Sequence, residues 1–354
     1  MIAALARRLA TWEAFLAVMA LGLLGYAIAA VPNFTSSFNL SQAAAGVSEK
    51  ALLVLPMVLL IIAREIDLSI ASILALTSVI LGVLVRAEVP LLLAVPLVLA
   101  VGAALGAFNG LLVTRLDLPS LVVTLGTLAM FRGIGYIILG SGSVNRFPDA
   151  LTDLGVENVP GTAVPWTIVP FLVLAPVFAL VLQHTPTGRR IYAVGGNPDA
   201  ALYAGVRSRR LRFLLFVLSG LVCAVAGIVF TARLANARAN NALGFELDVI
   251  TIALLGGVSV FGGRGTLTGV IWALLLVATL RNVLGLQQIG GDAQGIAIGL
   301  LLIGSLLLSN TVERILDRIR TRRLLGGRLS LRPQAEPASG PNFEQTFASG
   351  STKP

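Results

Sequence analysis

The chain has 354 residues, of which 56% are hydrophobic and only 12% charged, with a formal net charge of +9. So few charges cannot cover the surface of a water-soluble domain of this length, which excludes that class. The positive balance does not indicate nucleic acid either. The arginines sit at the ends of apolar runs and in one loop, with no stripe of basic and aromatic residues, and a cytoplasmic anionic lipid surface accounts for them.

The first apolar run, 14–31, follows Arg7 and Arg8. Ala27 and Ala29 offer a small-x-small cleavage pattern, but further runs follow at once, so an uncleaved anchor is expected. Further runs lie at 44–63, 68–85, 91–113, 121–139, 166–182, 211–232, 247–261, 266–284 and 293–309. Most approach the ~20 residues that carry a helix across a bilayer core. The eighth, 247–261, is short and glycine-rich at its end, the pattern of a full span or of a half-helix lining a cavity. The expected fold is an all-α integral membrane bundle of about ten transmembrane helices.

Orientation follows from the loops. With a cytoplasmic N-terminus, the inside segments hold Arg7, Arg8, Arg64, Arg115, Arg189, Arg190, Arg207, Arg209, Arg210, Arg264 and the tail from Arg314. The outside segments hold Arg86, Arg146, Arg233 and Arg238, and the long outside loop 140–165 is acidic through Asp149, Asp153 and Glu157. This asymmetry places both termini in the cytoplasm. Residues 1–310 are expected to form the membrane domain, and 311–354 a basic amphipathic segment (313–323) followed by a disordered tail beyond Pro333.

Two glycine ridges stand out, Gly102-Gly106-Gly110 and Gly291-Gly295-Gly299. In lipid, close backbone approach supplies the packing, and such ridges also let helices slide or line a pathway. Arg64, Glu65 and Asp67 form a charged cluster in a cytoplasmic hairpin, either pairing with one another and touching the short helix expected in the 183–210 loop, or simply solvated. Arg132 lies within the fifth run, while Arg281, Glu246 and Asp248 fall near outer ends, where snorkelling suffices. Asn109, Thr124, Thr127 and Ser259 are the modest polar groups within spans, open to either helix packing or a pathway. Cys223 and His184 are the only cysteine and histidine, too few for a metal or nucleophile framework.

The long cytoplasmic loop, about 183–210, carries the most information. Asn197 suits a helix N-cap, Pro198 the first helical position, and Asp199 the positive end of the helix dipole. Ala200 and Ala201 extend the helix, Gly205 can end it in a left-handed cap, and Arg207 follows. A short capped helix without a core of its own is either a plug for a groove on a partner or a surface ornament.

Asp-Ala-Ala-x-x-x-Gly from Asp199 to Gly205 resembles the coupling-loop motif of ABC-importer permeases, with aspartate in place of the usual glutamate. Glu65-Ile66-Asp67-Leu68-Ser69 is similar to the Gly-Ile-Asp-Leu-Ser segment of the ribose-type branch, with Glu65 in place of glycine. Asn109-Gly110, Thr124-Leu125-Gly126, Arg132-Gly133 and the Gly256–Gly265 loop also resemble that family, and the resemblance covers 52–309. It implies a permease subunit in the bacterial inner membrane that pairs with a second permease, identical or different. Two ATP-binding subunits and a secreted sugar-binding protein would complete the assembly, with ATP and Mg at the ATP-binding subunits. The residues agree on one point: the only lysines, Lys50 and Lys353, lie outside any P-loop, so this chain is expected to bind no cofactor and hydrolyse no ATP. Residues 63–67 and 71–81 look most like rhamnose-type permeases, with ribose, galactose, xylose and autoinducer-2 also open. An ion- or proton-coupled secondary sugar transporter is the alternative, and it would need intramembrane carboxylates or histidines.

Overall fold

The computed structural model describes residues 12–301, 303 and 304. Arg7, Arg8 and the tail segments 313–323 and beyond Pro333 therefore lie outside the described residues. Among those residues every regular element is helical, and two isolated bridges, Val144 with Ala237 and Asn158 with Pro165, are the only sheet-like pairings.

The helices are α1 (Trp12–Ala30), α2 (Ser37–Ile62), α3 (Ile70–Arg86), α4 (Leu91–Arg115), α5 (Ser120–Leu139), α6 (Asp149–Val156) and α7 (Val169–His184), the last preceded by a 3-10 turn at Trp166–Ile168. There follow α8 (Pro186–Gly196), α9 (Pro198–Tyr203), α10 (Ser208–Leu234), α11 (Phe245–Leu255) and α12 (Leu267–Leu286), and residues 291–301 are helical again. Among the described residues, seven segments are long and apolar enough to cross a membrane: α1, α2, α4, α5, α7 with its leading turn, α10 and α12. α3 falls just short at 17 residues. The protein is thus a polytopic helical membrane protein.

The eighth apolar run does not stay helical to Phe261. α11 ends at Leu255 after 11 residues, about 16 Å at 1.5 Å per residue, against a hydrocarbon core of ~30 Å. Gly256 and Gly257 end it, Gly257 adopting φ +86, a left-handed conformation that a side chain resists. The chain then runs through an irregular loop to Thr266, whose side chain caps α12 by accepting from Gly269 N.

α2 is the central helix. Every residue from Ser48 to Ala63 is buried; from Ala51 onward the unbroken apolar run, lacking a polar face, already implies this. The peripheral helices show the reverse pattern: Leu92 of α4 and Ile137 of α5 are 84% and 85% exposed, as residues facing lipid are. α4 and α10 cross through the first glycine ridge. A Cβ on Gly102 would lie 2.5 Å from both Gly220 O and Ala224 Cβ, and one on Gly106 would collide with Phe216 O. The second ridge has no such neighbour among the described residues, where a Cβ on Gly291, Gly295 or Gly299 meets nothing within 4 Å.

Contacts sort the connecting loops into two groups. At one end, rich in arginine, Trp12 Nε1 donates to Leu255 O (2.9 Å) and the Thr266 hydroxyl to Glu13. There too Gly263 N donates to Ile62 O (2.8 Å), Ile66 N to Ser120 Oγ (3.2 Å), and Arg209 pairs with Asp117 (2.6 Å). At the other end Asn236 donates to Asn145 Oδ1, Ser41 to Asn158 Oδ1, and Asn39 and Asn282 exchange amide hydrogen bonds. Successive loops alternate between the two groups along the chain.

Candidate coupling face

The arginine-rich end gathers α8, α9, the 63–69 hairpin and the 256–266 loop into one surface. α8 starts where Thr185 accepts from Gly188 N and Pro186 takes the first position. It buries Ile191 and Val194, and Gly195 lets it press against the end of α2: a Cβ there would collide with Ile62 O and stand 2.6 Å from Gly263 N. Tyr192 donates its hydroxyl to Gly265 O (2.6 Å), and burial pushes that phenol's pKa up, with the nearby Glu13 charge adding to the shift.

α9 has the expected caps. Asn197 Oδ1 accepts from Ala200 N (3.0 Å), Pro198 occupies the first turn, and Asp199 and Ala200 are exposed there. At the other end Gly205 has φ +79, Val206 N donates to Ala201 O (3.0 Å) and Gly205 N to Leu202 O (2.9 Å). That pair of bonds is a Schellman closure, which satisfies the last carbonyls of a helix too short to survive alone. Ala201 seats the helix at 4% exposure, while Leu202 and Tyr203 stand out at 60% and 92%. α9 is not isolated in its loop, since α8 anchors it directly.

Arg64, Glu65 and Asp67 do not pair with one another. Each ties the hairpin to a different element. Arg64, at φ +66, donates from Nε to Phe261 O (2.7 Å) and from a terminal nitrogen to Gly196 O (3.1 Å), just before α9. Glu65, nearly buried, accepts from Arg212 of α10 (2.9 Å). Asp67 is fully buried; it accepts from Ser69 N (3.0 Å), Ser69 Oγ (2.6 Å) and Ser219 Oγ (3.0 Å), and it has no ion-pair partner among the described residues. Burial raises its pKa, outweighing the hydrogen bonds from the two serines.

Two of the span polar groups belong to the same assembly. Asn109 Nδ2 donates to Ser69 Oγ (2.8 Å), leaving its buried Oδ1 without a partner. Thr124 donates to Ile66 O and Ser120 O, and Thr127 leans on Thr124 O at 3.4 Å. Ser259 shapes the 256–266 loop through its backbone, donating to Arg264 O and accepting from Gly262 N. Arg132 lies apart, donating to Ala239 O (2.8 Å) and Asn241 O (2.5 Å) near the opposite end. Arg207 is exposed at the N-cap of α10.

Several residues escaped the sequence reading. Arg212, Tyr192, Gly195 and Ser219 carry no local signal, because their partners are remote in sequence. Glu49 and Lys50 did carry one: adjacent charges at the start of an apolar run. Glu49, fully buried, pairs with Arg233 (2.7 Å), and Lys50 shares Asp248 (2.7 Å) with Arg281 (2.8 Å). Asp248 and Arg281 therefore pair with partners rather than only snorkelling.

A family model described as branched-chain amino acid transport system / permease component matches residues 39–306. The ribose import permease protein RbsC of Haemophilus influenzae is 32% identical over 287 residues, 79% of this chain and 87% of that protein. The autoinducer 2 import system permease protein LsrC of Enterobacter sp. is 35% identical over 306 residues, 86% of this chain and 88% of its own. The L-arabinose transport system permease protein AraH of Escherichia coli is 33% identical over 285 residues, covering 80% and 86%. No solved structure matches the chain. With a family match that spans nearly all the described helices, and relatives aligned along most of their own lengths, the chain belongs to the ribose-type family of ABC-importer permease subunits, transport components rather than enzymes.

Proposed function

We propose that this chain is the transmembrane permease subunit of an ATP-driven importer that carries a monosaccharide across the bacterial inner membrane, with α9 as its contact to the ATP-binding partner. The observation that carries the reading is the posture of α9. A six-residue helix, capped at both ends, presents Leu202 and Tyr203 outward while Arg64 and Gly195 join its base to α2 and to the 256–266 loop. A push on α9 is thereby delivered to the central helix. The full importer comprises a second permease subunit, two ATP-binding subunits holding ATP and Mg, and a secreted sugar-binding protein.

The same reading takes the chain across the membrane about ten times, α11 and the 291–301 helix included, with both ends cytoplasmic. It is supported by the alternation of the loops and by the arginines gathered at the end where α1 starts. Residues 1–310 form the permease domain, and 311–354 a cytoplasmic basic segment and tail. The relatives' names support a sugar; rhamnose leads on residues 63–67 and 71–81, ahead of ribose, galactose, xylose and autoinducer-2. Titrating the secreted binding protein with each of these by calorimetry identifies the cargo.

In the assembled importer, deleting 199–205 or substituting Leu202→Asp and Tyr203→Asp together should abolish uptake and uncouple ATP hydrolysis, with membrane insertion intact. Wild-type uptake by either variant would sink the coupling role. A second reading, an ion- or proton-coupled secondary sugar transporter, draws on buried Glu49, one of whose oxygens has no partner. Against it, the other oxygen is held by Arg233. Uptake that survives ATP depletion and collapses with the proton gradient favours this second reading.

A further inference from the structure

One pocket lies beside the coupling face rather than in the bundle. It encloses about 520 Å³ between the first turns of α8, the chain leaving α9 and the start of α10, and Arg190, Arg207 and Arg210 line it with Thr187, Leu211 and Leu214. Arg209 and Arg212 have carboxylate partners, but among the described residues none of the three lining arginines makes an ion pair or a side-chain hydrogen bond. Like charges drawn together in this way repel one another unless an anion joins them. α10 begins at the same place. Its N-cap, Arg207, gives no side-chain cap, so the first amides and the positive end of a 27-residue helix dipole add to the field.

The helix surface below the pocket fixes the kind of anion. Arg207, Arg210, Leu214, Leu218 and Leu221 follow one another at three- and four-residue steps, so they share one face of α10. Leu214 is 50% exposed and Leu221 36%. Leu218 between them is partly buried against the core, so one face passes from guanidinium groups to two exposed leucines flanking a half-buried one, as a phospholipid passes from phosphate to acyl chain. A single phosphate ion takes the volume of only a few waters of ~30 Å³ each, and it would leave most of the pocket and both exposed leucines uncovered.

We propose that this pocket holds the phosphodiester headgroup of an anionic phospholipid of the inner leaflet, with the phosphate on Arg190, Arg207 and Arg210 and an acyl chain along Leu214, Leu218 and Leu221. A lipid in this position wedges α8, which carries α9, against α10. The site goes beyond the transport reading, since nothing in sugar import requires it.

The test uses the full-length chain in phosphatidylcholine nanodiscs doped with dioleoylphosphatidylglycerol, with retained phosphatidylglycerol counted by native mass spectrometry. Wild type should retain one more phosphatidylglycerol per chain than R190Q/R207Q/R210Q, whose apparent affinity should fall about tenfold or more. R115Q/R189Q/R264Q removes the same charge from the same end outside the pocket and should retain lipid as wild type does. Equal loss in both triple variants would reduce the effect to diffuse surface attraction and overturn the site, as would no loss in the pocket variant. Displacement of the lipid by inorganic phosphate at comparable concentration would assign the pocket to a soluble anion instead. If the pocket variant keeps its lipid but no longer brings down the ATP-binding subunit, the arginines serve a protein partner and the lipid assignment fails. The single variant R207Q, on an exposed side chain, serves as the folded check should the triple variant prove unstable. Lipid retention is read without transport, so its failure is separable from failure of the importer reading.

Discussion

At the residue scale, Asp67 holds the hairpin together in a state that depends on its proton. Its pKa is raised by burial, so its contribution to stability is fully present below the ordinary carboxylate value near 3.8 and is lost as pH rises through the folded value. Asp67→Asn keeps an acceptor for Ser69 and cannot ionise. Thermal unfolding in detergent should therefore show it less sensitive to rising pH than wild type. Asp67→Ala strands the donors of Ser69 and Ser219, at about 1–3 kcal/mol for each buried group left unsatisfied, and should unfold at lower temperature at every pH. If the alanine and asparagine variants proved equally stable, the hydrogen-bonded role would be wrong. Arg64 acts at the same scale: its φ of +66 is a strained setting for a side-chain residue, held by bonds to Phe261 O and Gly196 O.

At the scale of elements, helix contact is decided by what fits between backbones. Gly106 of α4 sits so close to α10 that a Cβ would collide with Phe216 O and lie 3.0 Å from Gly220 N. Gly106→Ala should force the two helices apart, at about 1–3 kcal/mol for an overpacked contact. Gly126→Ala on α5 meets nothing within 4 Å and should leave stability unchanged or slightly raised through better helix propensity. Retention of folded protein after stepwise heating in detergent compares the two; indistinguishable curves would remove the ridge from the account of packing. α9 follows the opposite logic. Its interior contact is one buried alanine, so its form rests on its two caps and on α8 beneath it.

At the scale of the whole molecule, the arrangement of the loops predicts which residues face which compartment. Cys223 is buried and is the only native cysteine, so it gives little background to a thiol probe. Thr162→Cys should react with a membrane-impermeant maleimide on intact cells, whereas Ala193→Cys should react only after the membrane is opened. The reverse pattern would invert the topology and remove the coupling face from the cytoplasm.

The apolar runs, the alternation of arginine between loops and the caps of α9 were legible in the sequence, because each depends on residues within a turn or two of one another. Bilayer thickness dictates run length, and the four-residue reach of a helix dictates which side chain can cap it. The first glycine ridge was legible as a ridge, but its partner was not. Gly102 and Gly106 meet α10 while the equally regular Gly291, Gly295 and Gly299 meet nothing among the described residues, and no local pattern separates the two. Tertiary structure alone decided that Arg64, Glu65 and Asp67 part company toward Gly196, Arg212 and Ser219. It likewise decided that Glu49 and Lys50, buried in the central helix, find Arg233 and Asp248. A buried charge takes whichever partner the packing brings within reach, and in a bundle that partner stands on another helix, far away in sequence.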